Sequence, residues 1–243
     1  MLSGPPVSAT VQADQLLERF LSASDRRRRS LLPQLRQRQP ELLPLLEDRL
    51  AALDPTGDDW AAGFLVQMLW QGGETSRREA FTARHPDGWL AVSSEAAQDY
   101  GPLQTHLMAA EFEAADRLTS EHLRQLAGPG AVQRGYVYYS EVATMPTTDL
   151  ESLDRLWVCY SCARFGFSVQ GRLLRACGGQ WERLWPRLGW KQDGVWTRYP
   201  GAFTWTLDAP EGHMPLINQL RGVRLMDALL HHPSLERRRD PAG

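Results

Sequence analysis

Apolar residues recur along the first third of the chain at helical spacing. Leu16, Leu17, Phe20 and Leu21 share one face; Leu31, Leu32 and Leu35 share a second. Leu42, Leu43, Leu46 and Leu50 make a third face, and Phe64, Leu65, Met68 and Leu69 a fourth. Steps of three and four residues stack side chains on one side of a helix, so short helices are expected here. Pro33, Pro40 and Pro44 are read as lying near helix starts, where a missing N–H costs little. The similar phrases Leu31-Leu32-Pro33 and Leu42-Leu43-Pro44 hint at a stacked helical repeat. Gly72, Gly73, Pro86 and Gly88 punctuate the end of this region.

A second unit is expected from about Ser94. Phe112, Ala115, Leu118, Thr119, His122 and Leu126 lie along one side of a helix that Gly128-Pro129-Gly130 stops. Thr148-Asp149-Leu150-Glu151 reads as a capping box that launches a helix with Leu150, Leu153, Trp157 and Tyr160 on one face. Gly166 breaks that helix, and another is expected from about Phe167 to Ala176, ended by Gly178 and Gly179. A last helix is expected from about Leu216 to Leu230. Between Gly189 and Pro215 the helical period vanishes, and a short strand pair fits there. The pattern predicts an all-α protein: an N-terminal helical bundle over residues 1–93, a compact helical domain with a long aromatic loop over 94–235, and a disordered tail over 236–243.

Composition narrows the function classes. The chain has 243 residues, 42% hydrophobic and 23% charged, with a net charge of -2. No global field draws it to nucleic acid or to an anionic membrane. Three cysteines and no charged-then-apolar leader in the first 15 residues favour a reducing compartment over secretion. No nucleophile elbow, P-loop or Rossmann fingerprint is present, so no catalytic residue and no catalytic cofactor are expected. Cys159 and Cys162 form a CxxC, but at the C-terminal end of a helix, where the dipole disfavours a thiolate. A zinc site would have to recruit Cys177 and a distant His213, and no metal ligand is assigned.

Half of the chain's Trp, Tyr and Phe residues lie between Trp157 and Trp205. Trp157 and Tyr160, and Trp181 and Trp185, are spaced as core residues would be. Trp190, Trp196, Phe203 and Trp205 fall instead in the non-helical segment, and loops run over surfaces. Large rings concentrated in a loop imply a lid on the core or an exposed binding patch. A flat apolar ligand with acidic groups at one edge suits such a patch. Burial of several hundred Å² would supply on the order of 10 kcal/mol gross. Arg221 and Arg224 are placed to orient the acidic edge. Two other readings stay open: a helical scaffold that grips a protein partner and no such ligand, and a thiol redox protein using Cys159 and Cys162.

The run from Asp149-Leu150 through Leu156-Trp157, Tyr160-Ser161 and Arg164-Phe165-Gly166-Phe167-Ser168-Val169-Gln170 resembles the central motif of the genomes-uncoupled four family. Leu188-Gly189-Trp190, Trp196 and Leu207-Asp208-Ala209-Pro210-Glu211-Gly212-His213-Met214-Pro215 are similar to its second half, and Leu103–Ala110, Phe112, Ala115-Asp116 and Thr119 to its opening helices. The resemblance spans roughly Gln98 to His232. It implies a porphyrin-binding regulator rather than an enzyme: a protein that binds protoporphyrin IX or magnesium protoporphyrin IX in a hydrophobic palm and stimulates magnesium chelatase by docking on its large, porphyrin-binding subunit. The residues it points to are Trp157, Val158, Tyr160, Phe165, Phe167, Trp190, Trp196, Phe203, Trp205, His213, Met214, Leu216, Arg221 and Arg224. It also implies a cyanobacterial cytoplasmic setting, or a plastid in a eukaryote, leaves room for peripheral membrane association, and gives nucleic acid no part.

Overall fold

The computed structural model describes residues 9–217 and 223–239. Five helices open the chain: α1 (Ala9–Leu21), α2 (Asp25–Gln37), α3 (Gln39–Ala51), α4 (Trp60–Gly72) and α5 (Thr75–Arg84). Next come α6 (Gly101–Met108), α7 (Phe112–Leu126) and α8 (Pro129–Arg134), a 3₁₀ turn (Tyr139–Thr144), α9 (Thr147–Tyr160), α10 (Phe167–Ala176) and α11 (Trp181–Leu188). A two-stranded hairpin, β1 (Lys191–Gln192) and β2 (Val195–Trp196), and the helices α12 (Arg224–Leu230) and α13 (Pro233–Arg239) complete it. The all-α expectation holds, and so does the small strand pair.

Two helices organise the core. Every residue of α4 from Trp60 to Leu69 is buried, the signature of a helix covered on all sides. It packs on α3 on one side and on α9 and α6 on the other. Buried Gln67 donates to the Leu107 carbonyl (2.8 Å) and the Tyr160 carbonyl (2.7 Å), which helix ends would otherwise leave orphaned. A methyl at Gly63 would run into the Cys159 carbonyl, so the two backbones touch there. The helices on either side of residue 93 therefore share one core. Gly63→Ala is expected to lower the unfolding free energy by about 1–3 kcal/mol; an unchanged urea midpoint would rule out that close approach.

Helix α9 carries buried carboxylates as well as rings. Asp149 accepts from the Tyr100 hydroxyl at 2.8 Å, the N–H groups of Glu95 (2.9 Å) and Ala96 (3.2 Å), and the Ser94 hydroxyl. It thereby fastens the segment that joins the two halves. Asp154 accepts from the Ser168 N–H at 2.8 Å, at the start of α10, and from Arg238 Nε at 2.7 Å.

Several local expectations need correction. Thr148 is not the cap of α9: the helix starts at Thr147, directly after extended Pro146, and the Thr148 hydroxyl turns to Glu95. Pro33 and Pro44 lie inside α2 and α3 rather than at their starts. Both are exposed, so the carbonyl each leaves without an intrahelical donor can bond water. Short α8 and the 3₁₀ turn fill what the sequence leaves as loop. Leu216 and Ile217 are not helical, and α12 begins at Arg224. Residues 236–239, read as tail, form the last turn of α13, because Arg238 finds Asp154 and, at 3.0 Å, Asp58.

Candidate functional site

The site starts with the turn after α11. Gly189 adopts φ +71°, which reverses the chain and delivers Trp190 to the core. Asp193 and Gly194 then both take positive φ, as a two-residue hairpin turn demands, and β2 returns antiparallel with Lys191 opposite Trp196. Trp185 is the hub of the local ring stack: Trp181 lies 5.2 Å away, Trp190 5.9 Å at 10° between planes, and Trp196 5.5 Å. Lys191 sits 5.3 Å over the Trp196 ring. A second cluster follows, with Phe203 5.5 Å from both Tyr199 and Trp205 and 4.6 Å from the His213 ring.

Between these clusters and α7 lies a cleft of about 870 Å³. One wall is α7, with buried Asp116 at its inner edge and Arg117, Ser120, Glu121 and Arg124 beside it. The other holds Trp190, Trp196, Thr197, Arg198, Tyr199 and Phe203, and Tyr136, Val137, Leu216, Ile217 and Leu225 complete the lining. Val195, Trp196 and Tyr199 are 70%, 42% and 43% exposed. The Trp196 and Tyr199 rings, so open along a cleft that Arg117, Arg124 and Arg198 also line, can hold a flat, apolar, anionic molecule.

Asp116 is the unusual group in this lining. It is buried, and its two oxygens accept from the Tyr199 hydroxyl at 3.1 Å and the Leu216 N–H at 2.6 Å. Burial pushes its pKa up to about 7.

Of the residues the sequence singles out, Trp190, Trp196, Phe203 and Leu216 line this cleft together. The others stand elsewhere. Trp157 is buried between α9 and α7, 6.1 Å from Phe112, with its indole N–H donating to Thr119 Oγ at 2.9 Å. The Tyr160 hydroxyl donates to Gln104 at 3.0 Å inside the core. Phe165, Phe167 and Met214 are fully buried, Val158 is half-buried beside Gly166, and half-buried Trp205 stacks behind Phe203. His213 uses both nitrogens. Nδ1 faces the Leu188 carbonyl at 2.6 Å and Nε2 accepts from the Thr204 N–H at 3.4 Å, while burial holds its pKa below the usual imidazole range. Arg224 lies over the Tyr139 ring at 5.4 Å and is not part of the cleft lining, although its neighbour Leu225 is. Arg221 lies outside the described residues.

The segment 161–170 does different work: it holds the loop beneath the site. Ser161 Oγ accepts from the N–H groups of Phe165 (2.8 Å) and Arg164 (3.2 Å). The Gly166 N–H donates to the Met214 carbonyl at 3.0 Å, and the Gly212 N–H to the Arg164 carbonyl at 2.7 Å. Gln170 donates to the carbonyls of Gly212 (3.0 Å) and Pro215 (2.8 Å). Burial pushes Cys159 and Cys162 up to about 12, which leaves each a thiol at neutral pH and a poor nucleophile.

The sequence reading passed over Asp116, Arg117, Ser120 and Arg124 as cleft residues. They recur at i, i+1, i+4 and i+8, a signal of one polar helix face that does not tell a cleft wall from a solvated surface.

A family model described as GUN4-like matches residues 93–233. A Ycf53-like protein of Synechocystis is 44% identical over 173 residues, which cover 71% of this chain and 74% of that protein. The chloroplastic tetrapyrrole-binding protein of Arabidopsis thaliana is 35% identical over 158 residues, 61% of this chain and 60% of its own length. Among solved structures, GUN4 from Chlamydomonas reinhardtii superposes with a TM-score of 0.57 at 37% identity, covering 60% of this chain and 93% of that one. Ligand-free GUN4 of Arabidopsis thaliana gives 0.53 at 37% identity, covering 57% and 99%.

Proposed function

The chain belongs to the GUN4-like family, and we propose that its cleft between α7 and the aromatic loop binds a tetrapyrrole, protoporphyrin IX or magnesium protoporphyrin IX. The observation that carries this reading is the pairing of half-exposed Trp196 and Tyr199 with Arg117, Arg124 and Arg198 around one cleft of about 870 Å³. Such a ligand has two broad apolar faces and two propionates at one edge. The rings meet the faces and supply affinity, at about 25 cal/mol per Å² less the loss from ordering and desolvation. The arginines meet the propionates and set orientation, each exposed pair contributing about 0–1 kcal/mol.

In this proposal the protein is not an enzyme. It presents its pigment to the large subunit of magnesium chelatase and stimulates that enzyme, in a cyanobacterial cytoplasm or a plastid. The organisms of the relatives support that setting. No described helix is long and apolar enough to cross a membrane.

Deuteroporphyrin tests the ligand directly. Trp190 and Trp196 line the cleft, so their emission is expected to be quenched saturably as pigment is added. Unchanged emission at micromolar pigment would sink the reading and favour a protein-gripping scaffold. Addition of the pigment-loaded protein to magnesium chelatase and its porphyrin substrate tests the finer claim, with a raised turnover expected.

A further inference from the structure

We infer that Asp116 is a proton-operated latch that governs access to the cleft, holding the aromatic loop down through Tyr199 and the 214–217 segment through the Leu216 N–H. The gating role rests on the tetrapyrrole reading; the latch itself does not.

The geometry comes first. One carboxylate on α7 bonds two separate stretches of the opposite wall, so lifting either stretch breaks a hydrogen bond to the same side chain. Asp116 is 1% exposed, and Tyr199 and Leu216 both line the cleft. Lifting the loop therefore opens the cleft and wets the carboxylate in one motion. The charged and titratable groups around it are Glu113 and Arg117 on its own helix and Tyr199 from the loop, with Glu121, Arg124, Tyr136 and Arg198 further along the lining.

The direction of control follows from linkage. With the loop down, burial raises the carboxyl's pKa to about 7. With the loop up, water reaches the group and returns it toward the ordinary carboxylate value of about 4. The closed form binds its proton more tightly, so closing takes up a proton. Closure is strongest below about pH 4, weakens as pH rises and levels off above about 7. A rise in pH from about 4 to 7 thus frees the loop and admits the ligand.

Hydrogen exchange at the Leu216 amide reads the latch without any pigment. After correction for intrinsic rates, wild-type protection is expected to fall by up to about tenfold per pH unit between roughly pH 5 and 7, then flatten. Buried amides of α9 serve as the reference that does not follow this course. Asp116→Asn keeps an acceptor for Leu216 and a polar partner for Tyr199 but cannot titrate, so its profile should be flat. Stopped-flow quenching by deuteroporphyrin should speed up across the same window in wild type and not in Asp116→Asn. A flat wild-type profile, or the same profile in both proteins, overturns the latch whatever the pigment does. Protection that titrates while the quenching rate does not overturns the gating. Protection that titrates with no quenching at any pH leaves the latch standing and removes the tetrapyrrole reading instead.

Discussion

Alanine at Trp157 is expected to lower the unfolding free energy by about 3–5 kcal/mol, the range for emptying a large aromatic site in a core. Trp157 is fully buried, lies 6.1 Å from Phe112, and donates its indole N–H to Thr119. Removing the ring leaves a void between α9 and α7 and strands the Thr119 hydroxyl, which keeps its bond to the Ala115 carbonyl but loses its donor. In a chain of this size the thermal midpoint should fall by about 10 °C. Protein that remains folded should still bind deuteroporphyrin, because α7 and the loop supply the contacts. A variant with wild-type stability and no pigment binding would move Trp157 from the core to the ligand.

Alanine at Trp196 should do the reverse. This ring is 42% exposed in the lining of the cleft and rests on Trp185 at 5.5 Å. Its loss removes one broad face from the ligand and little from the fold. Truncating an aromatic anchor of this kind typically costs about 2 kcal/mol of binding, which corresponds to roughly 30-fold weaker affinity for deuteroporphyrin. The thermal midpoint should shift by no more than about 2 °C. Equal affinities in fluorescence titrations of the two proteins would take the ligand away from this wall. The paired results separate folding from binding, since each tryptophan should affect one measurement and spare the other.

Much of the fold is legible because burial imposes a period. The faces led by Leu16, Leu42 and Phe112 each mark a helix, and Gly178 marks a true end; Gly166, read as the break of α9, instead caps the start of α10, because α9 already stops at Tyr160. What stays hidden depends on partners far along the chain. Nothing near Thr148 indicates that Glu95 will claim its hydroxyl. Nothing in the arginine run Arg237–Arg239 indicates that Asp154 and Asp58 will hold its middle member. Gln67 and Gly63 look unremarkable until α9 is laid against them.

The site is legible in half measure for a related reason. An aromatic side chain satisfies a core and a ligand by the same chemistry, so Trp157 and Trp196 look alike as letters. What separates them is local regularity: Trp157 sits in a helical stripe, whereas Trp196 follows a Gly-containing turn. The polar wall has no such marker. Asp116 falls at a position that every amphipathic helix has, and its burial depends on Tyr199 and Leu216 arriving from 83 and 100 residues away.

The hydrogen bonds from Ser161, Gly166 and Gln170 have a consequence for kinship and chemistry. The stretch from Ser161 to Gln170 braces the architecture and contributes nothing to the described cleft lining, while that lining draws on Trp190, Trp196 and a polar face of α7 far from it in sequence. Kinship read from that stretch alone therefore says little about what the cleft accepts. A cousin could preserve the whole recognisable stretch and, through a handful of changes on α7 and the hairpin, come to carry a molecule of another shape.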